Sequence, residues 1–212
     1  MSIIKKTLML KLTILVLCTF TSCKTTAQTV IVKDISEMKT EDWSVDGSVK
    51  KYFKDIDNDF ASFLGTWIAP MGNNQTFVVS LYKVTKNPRR DTNGNVEYYV
   101  DDIEGHYRLV ENYDLLNEQV IYTSNKHWVG TTDVYPGIYV MKSNDGIHSY
   151  GTVMDTSFPV SSPYYRQEGR LGMKILSTNP TTAQWRISKG SDAKPEDRVF
   201  NIPTDIILTK VN

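Results

Sequence analysis

The stretch GSVKKYFKDIDNDFASFLGTWIAPMGNNQTFVVSLYKV, residues 47–84, contains the change of periodicity that decides the fold. Its first half has apolar residues at intervals of three and four, which predicts an amphipathic helix from Val49 to Leu64. After Gly65 the period becomes two, so two strands separated by a polar turn are predicted over residues 66–84. The stretch therefore predicts a helix that leads directly into, and covers, the start of a β-sheet.

The rest of the chain carries short alternating segments separated by turn-forming residues. Their number and spacing are typical of an antiparallel barrel or sandwich. The apolar set shifts by one residue across Asp101-Asp102, which predicts a β-bulge or a strand break. The predicted fold class is mainly β, an antiparallel up-and-down barrel of about 8–10 strands with one amphipathic N-terminal helix.

The N-terminal segment has the layout of an export signal. Basic residues are followed by an apolar run from Leu8 to Phe20 and then by small residues, so residues 1–22 are predicted to be a signal peptide. The sequence before Cys23 resembles a bacterial lipobox, which implies that Cys23 becomes the lipid-modified N-terminus. Cleavage by ordinary signal peptidase after Ala27 is the alternative. Residues 23–47 are predicted to be a polar tether, in which the apolar patch Val30-Ile31-Val32 could add one weak strand. Residues 48–212 are predicted to be the helix and barrel.

Lipidation at Cys23 would make the membrane a partner through the lipid. Lys24 is not acidic, and resemblance to lipoprotein sorting rules then implies the outer membrane, with the domain facing the periplasm. Cys18 would leave with the signal, so the folded part would contain no cysteine for a disulfide, a nucleophile or a metal. The 24 basic and 24 acidic residues include no basic patch, which argues against nucleic acid as a partner. Nothing in the sequence indicates an oligomeric state.

No pattern for catalysis, a metal or a cofactor stands out. The run at 55–59 imitates the start of a calcium loop, but Phe60 replaces the required Gly and Thr66 the required Glu. The three histidines lack metal-ligand spacing, and no phosphate-binding glycine loop is present. We expect a protein without enzyme activity, and a hydrolase that uses two carboxylates stays open because their separation is spatial.

Polar and aromatic residues suggest two places where a ligand could bind. Glu104, His106 and Arg108 alternate on one strand face, which either lines a polar barrel interior or faces solvent. Aromatic residues form two clusters that could rim a barrel mouth or belong to the core. These candidate mouth residues are Trp128, Tyr135 and Tyr139 in one cluster and Tyr164 and Tyr165 in the other.

The sequence Gly65-Thr66-Trp67 at the first strand, the strand meander and Lys210 on the last strand together resemble the lipocalin/calycin arrangement. The resemblance implies that Gly65 and Trp67 close one barrel end and that Lys210 packs over the indole as a cation–π contact. The layout of leader, tether, helix and meander also resembles a family of small uncharacterised bacterial lipoproteins. That second resemblance concerns fold and location, and it implies no chemistry.

Two functional hypotheses follow from the sequence. In the first, a lipid-anchored envelope protein binds or carries a small apolar ligand in a lipocalin-like barrel. In the alternative, the barrel is filled with side chains and the protein is a non-catalytic structural or protein-interaction module of the envelope. The two hypotheses differ in whether the barrel interior is open or packed.

Overall fold

The computed structural model of the chain describes residues 29–41, 49–127, 133–189 and 199–211. These residues form eleven strands and two short 3₁₀ helices, η1 (Ile35–Lys39) and η2 (Asp59–Ser62). The strands are β1 (Val30–Asp34), β2 (Lys50–Lys54), β3 (Gly65–Gly72), β4 (Gln75–Arg90), β5 (Val96–Glu111), β6 (Gln119–Thr123), β7 (Ile138–Ser143), β8 (His148–Asp155), β9 (Gln167–Thr178), β10 (Thr181–Ser188) and β11 (Asp205–Val211).

Eight of these strands close into an antiparallel up-and-down barrel. The ring runs β3, β4, β5, β7, β8, β9, β10 and β11, and each strand pairs with the next. The last strand returns to the first, with Lys210 opposite Trp67 and Thr209 opposite Ile68. Closure removes the free strand edges that an open sheet would leave. The predicted fold class is confirmed: the protein is mainly β, with a closed eight-stranded antiparallel barrel.

The long strand β5 joins the barrel to the three remaining strands. Along one edge β5 pairs with β4, and its other edge is shared among β2, β7 and β6 in turn. Strand β2 runs parallel to β5, and β1 runs parallel to β2. The strands β1 and β2 and the helix η1 thus form an addition beside the barrel, next to β7.

The prediction of a helix from Val49 to Leu64 is wrong. Residues 50–54 form strand β2, and only residues 59–62 are helical, as the single turn η2. Strand formation satisfies the backbone groups on the part of the β5 edge that β7 leaves unpaired, and this outweighs the local helical pattern. The aromatic stripe is nevertheless buried at Phe53, Phe60 and Phe63.

The strand pairing bears on two further expectations. The segment predicted as a polar tether contains β1, where one weak strand was expected, and it also forms η1, in which Ile35 is buried. The bulge predicted at Asp101-Asp102 lies on the partner strand instead. Strand β5 is continuous there, while β4 places two residues, 85 and 86, opposite Asp101, and Lys86 has a φ of 53°. The extra residue is accommodated in β4, so the side chains of β5 keep strict alternation.

Side chains from all around the barrel fill its interior as one continuous cluster. The Phe77 ring of β4 lies 5.8 Å from the Trp185 ring of β10, three strands away, and 5.9 Å from the Tyr107 ring of β5. Contacts between rings of strands that are not neighbours cross the barrel interior, so these side chains occupy it. The buried members from the barrel strands include Trp67, Ala69, Phe77, Val79, Leu81, Ile103, Tyr107, Ile138, Met141, Val153, Leu171, Met173, Ala183, Trp185, Ile187 and Leu208.

Candidate functional site

One end of the barrel is closed by the residues that the lipocalin resemblance singled out. Trp67 is fully buried, and its Nε1 donates a hydrogen bond to the Phe63 carbonyl oxygen at 2.7 Å. Lys210 Nζ lies 5.5 Å from the Trp67 ring centroid and 3.2 Å from the Ser62 carbonyl oxygen. Gly65 has a φ of 110°, a conformation that favours glycine, and lets the chain turn from η2 into β3. The ammonium group therefore ties the last strand to the turn that covers this end.

The opposite end is closed by the segment that precedes β11. Ile202 of this segment is buried, and the backbone N–H groups of Asn201 and Ile202 donate to Asp155 Oδ2 at 2.7 and 3.2 Å. Trp185 Nε1 donates to the Pro203 carbonyl oxygen at 2.8 Å. The buried Asp155 carboxylate thus holds the segment across the barrel end.

The predicted mouth tyrosines lie toward this second end and do not open into the barrel. The Tyr139 hydroxyl donates to Glu168 on the outside of β9. Tyr164 packs on Phe158 at 5.7 Å, and Lys126 Nζ lies 5.7 Å from the Tyr165 ring. Tyr135 is partly exposed, and Trp128 lies outside the described residues, as do Cys23 and the signal peptide.

Two buried carboxylates, Asp101 on the inner face of β5 and Asp55 directly after β2, form a clamp around Lys83. Lys83 Nζ lies 2.8 Å from Asp55 Oδ2 and 3.3 Å from Asp101 Oδ2, and 5.3 Å from the Phe60 ring centroid. Asp101 also accepts hydrogen bonds from the Tyr52 hydroxyl at 2.6 Å and from backbone N–H groups. Burial raises the pKa of Asp101, but these donors outweigh burial and lower the pKa overall. Because one ammonium bridges both carboxylates, the clamp is suited to holding β2 on the barrel.

The outer face of β5 carries a second charged group, centred on Asp102. Asp102 is fully buried; its Oδ2 accepts from Arg89 and from Asn87 Nδ2, while its Oδ1 has no hydrogen-bond partner among the described residues. Burial raises the pKa of Asp102 despite the opposing effect of Arg89. Asn87 Nδ2 also contacts Glu104 Oε1 at 3.3 Å.

Strict alternation along β5 places Glu104, His106 and Arg108 on this same outer face. They lie opposite the inward residues Ile103 and Tyr107, which belong to the packed interior cluster. The hypothesis that these three polar residues line a polar interior is therefore wrong.

A groove on the outside of the barrel separates η1 from the hairpin between β7 and β8. Its volume is about 470 Å³, within the range of ligand pockets, and its surface is mainly apolar. Ile35 and Met38 of η1 form one wall, and Tyr150 of β8 contributes to the other. The groove exists because β1, η1 and β2 pack beside β7 instead of trailing as a tether.

Charged side chains are distributed unevenly within this groove. Both carboxylate oxygens of Asp145 are hydrogen-bonded within its own hairpin. Oδ1 accepts from the His148 backbone N–H at 2.7 Å and from the Ile147 N–H at 2.8 Å, and Oδ2 lies 2.8 Å from His148 Nδ1. Hydrogen bonds, first of all from the His148 backbone, lower the pKa of Asp145 to about 2. Lys142 Nζ instead contacts the Met38 thioether sulfur at 3.3 Å, a weak acceptor. Burial lowers the pKa of Lys142.

The groove escaped detection in the sequence because its two walls are about 100 residues apart. The Asn144-Asp145-Gly146 turn was a visible hairpin signal, but nothing local connects it to η1. Within the described parts of the chain, no three potential metal ligands come together, and no helix is long and apolar enough to span a membrane.

The fold and these closed ends define a class, the closed up-and-down β-barrels with a packed interior. The chain belongs to the family of unknown function DUF6705, which matches residues 9–211. No curated protein and no solved structure matches the chain.

Proposed function

We propose that this protein is a non-catalytic, lipid-anchored module of the bacterial envelope, whose filled barrel is a scaffold for contacts made on its outside. The packed interior carries the proposal. A carrier that encloses its ligand needs an internal cavity, whereas Phe77, Tyr107 and Trp185 meet inside this barrel. Between the two hypotheses from the sequence, the packing favours the alternative, the filled barrel.

Apolar side chains left on the surface support a role in contacts with other molecules. Val120 and Ile121 of β6 and the nearby Val160 are each about half exposed, and they line a second surface depression. Clustered exposed apolar groups of this kind are typical of interaction surfaces. Inside the fold, Lys83 pairs with Asp55 and Asp101, which suits these charged groups to a structural role.

The anchoring part of the proposal rests on the lipobox-like sequence before Cys23. Two or more acyl chains at that residue would hold the domain stably at a membrane, where a single chain is marginal. Lys24 favours the outer membrane, with the domain facing the periplasm.

Intact-mass spectrometry of the protein from native membranes tests the anchor. We expect a mature chain that begins at a lipid-modified Cys23, and a Cys23→Ser variant that is found in the soluble fraction. Cys18→Ser is the matched control and should remain in the membrane. An unmodified N-terminus at Gln28 would contradict the anchor.

Thermal unfolding with and without indole tests the filled barrel. Wild-type protein should gain no stability from indole, while Trp185→Ala should lose several degrees in Tm and recover part of the loss, because indole fills the new cavity. Stabilisation of the wild type to the same extent would mean that its interior is open.

A further inference from the structure

We propose that the groove between η1 and the β7–β8 hairpin binds a small organic monocarboxylate with an apolar body, and that Lys142 is the group that contacts the carboxylate. This inference rests on the proposed function only in placing the ligand outside the filled barrel. It adds a site, a ligand class and a residue.

The first support is the state of the Lys142 ammonium group. Lys142 follows Met141, which pairs with Ile103, so Lys142 stands beside Asp102 across the strand pair. Its Nζ is attracted electrostatically to Asp102 but lies within ion-pair distance of no carboxylate in the described residues, and its hydrogen-bond partner there is the Met38 sulfur. A half-buried ammonium with such a weak acceptor gains strongly from an incoming anion.

The second support is that the acidic residue of the groove does not compete for this lysine. Three donors from its own hairpin fix Asp145, and they keep its carboxylate turned to residues 147 and 148. Lys39 adds a second positive charge at the rim of the groove. The described lining therefore favours an anion over a cation or a neutral molecule.

The third support concerns the rest of the ligand. Ile35, Met38 and the Tyr150 ring offer apolar contact, and a thioether adapts readily to different shapes. Among the described residues of the lining there is no arginine that could bind a phosphate with two parallel hydrogen bonds. One half-buried ammonium beside an apolar surface thus suits a single carboxylate on a hydrocarbon or aromatic body.

NMR of the methionine methyl groups in the full chain, as processed by the producing cell and held in lipid nanodiscs, tests the inference with 4-phenylbutyrate as the probe. The Met38 methyl signal should shift saturably, while the signals of Met141 and Met173 inside the barrel should not. 4-Phenylbutanol has the same apolar body without the charge, and we expect it to bind at least tenfold more weakly.

Variants at the lysine separate a specific contact from general apolar binding. Lys142→Gln should weaken 4-phenylbutyrate binding at least tenfold, and Lys142→Arg should restore much of it. Lys126→Gln, at the opposite end of the barrel, is the control and should bind like the wild type. The signal of Met173, which is buried and not adjacent to either substituted lysine, also reports that each variant is folded.

The outcomes are distinct for the two proposals. An unchanged Met38 signal, equal binding of acid and alcohol, or full binding by Lys142→Gln would each overturn the carboxylate site. Saturable shifts at Met141 and Met173 would instead overturn the filled barrel. The comparison of 4-phenylbutyrate with 4-phenylbutanol needs only wild-type protein. It therefore tests the carboxylate site even if a variant does not fold.

Discussion

The two faces of β5 differ in how completely their side chains are satisfied. On the inner face Ile103 and Tyr107 join a continuous apolar cluster, and Asp101 is held by Lys83, Tyr52 and backbone donors. On the outer face the Asp102 carboxylate keeps one oxygen without a hydrogen bond, and its cross-strand neighbour Lys142 hydrogen-bonds only to a thioether among the described residues. The inner carboxylate of β5 is therefore fully hydrogen-bonded, and the outer one is not.

The largest expected effect comes from removing the plug of the packed interior. Trp67→Ala should lower the free energy of unfolding by about 3–5 kcal/mol, because it deletes a fully buried indole and leaves a cavity. Urea unfolding provides the measurement. Tyr150→Ala in the exposed groove is the matched control and should cost less than about 1 kcal/mol. Equal losses of unfolding free energy in the two variants would contradict the claim that the interior is packed and the groove exposed.

A somewhat smaller loss is expected from opening the inner clamp. Lys83→Met keeps most of the side-chain volume but leaves Asp55 and Asp101 buried without their cation, at a cost of about 3 kcal/mol. Lys142→Met on the outer side breaks no ion pair among the described residues and should cost less than about 1 kcal/mol. Urea titration of both variants at neutral pH measures the contrast, and a larger loss for Lys142→Met would reverse it.

The smallest effect is a difference in pH dependence between neighbouring carboxylates. Donors lower the pKa of Asp101 despite burial, so its ionised form stabilises the fold above the ordinary Asp pKa of about 4, and this is lost as the pH falls through the lower folded value. Burial raises the pKa of Asp102, so its ionisation reduces stability as the pH rises from about 4 through the raised folded value.

Urea unfolding of Asp101→Asn and Asp102→Asn between pH 2.5 and 7 checks these signs. Relative to the wild type, the loss from Asp101→Asn should grow as the pH rises toward 4. The loss from Asp102→Asn should shrink as the pH rises above 4. Parallel profiles for the two variants would show that the two faces do not differ electrostatically.

Predictions from sequence succeeded where a pattern is strictly local or where a residue type has one structural use. Period-two alternation identified the barrel strands, because side chains of a strand necessarily point to opposite faces. Gly65, Trp67 and Lys210 come together as the resemblance implied, since the closing strands β3 and β11 pair at those positions. Asp101-Asp102 marked an irregular place correctly, although the extra residue belongs to β4.

The failed prediction of a helix at residues 49–64 has a physical cause. Apolar residues at spacings of three and four fit a helix, and they equally fit a strand followed by a turn that buries Phe60 and Phe63. Backbone pairing with β5 decided between them. The sequence of residues 49–64 does not reveal that an edge of β5 is available for pairing.

By itself, the sequence determined the class of fold and the residues that close one barrel end, because these depend on local periodicity and short motifs. The lipobox-like leader stays a prediction, since it lies outside the described residues. Only the tertiary structure decided that the interior is packed, since this depends on rings that meet from strands far apart in the chain. It also decided where a groove forms, because the pairing of β2 with β5 is what brings Met38 next to Lys142. The physical reason is that backbone pairing between distant segments leaves no local pattern in the sequence.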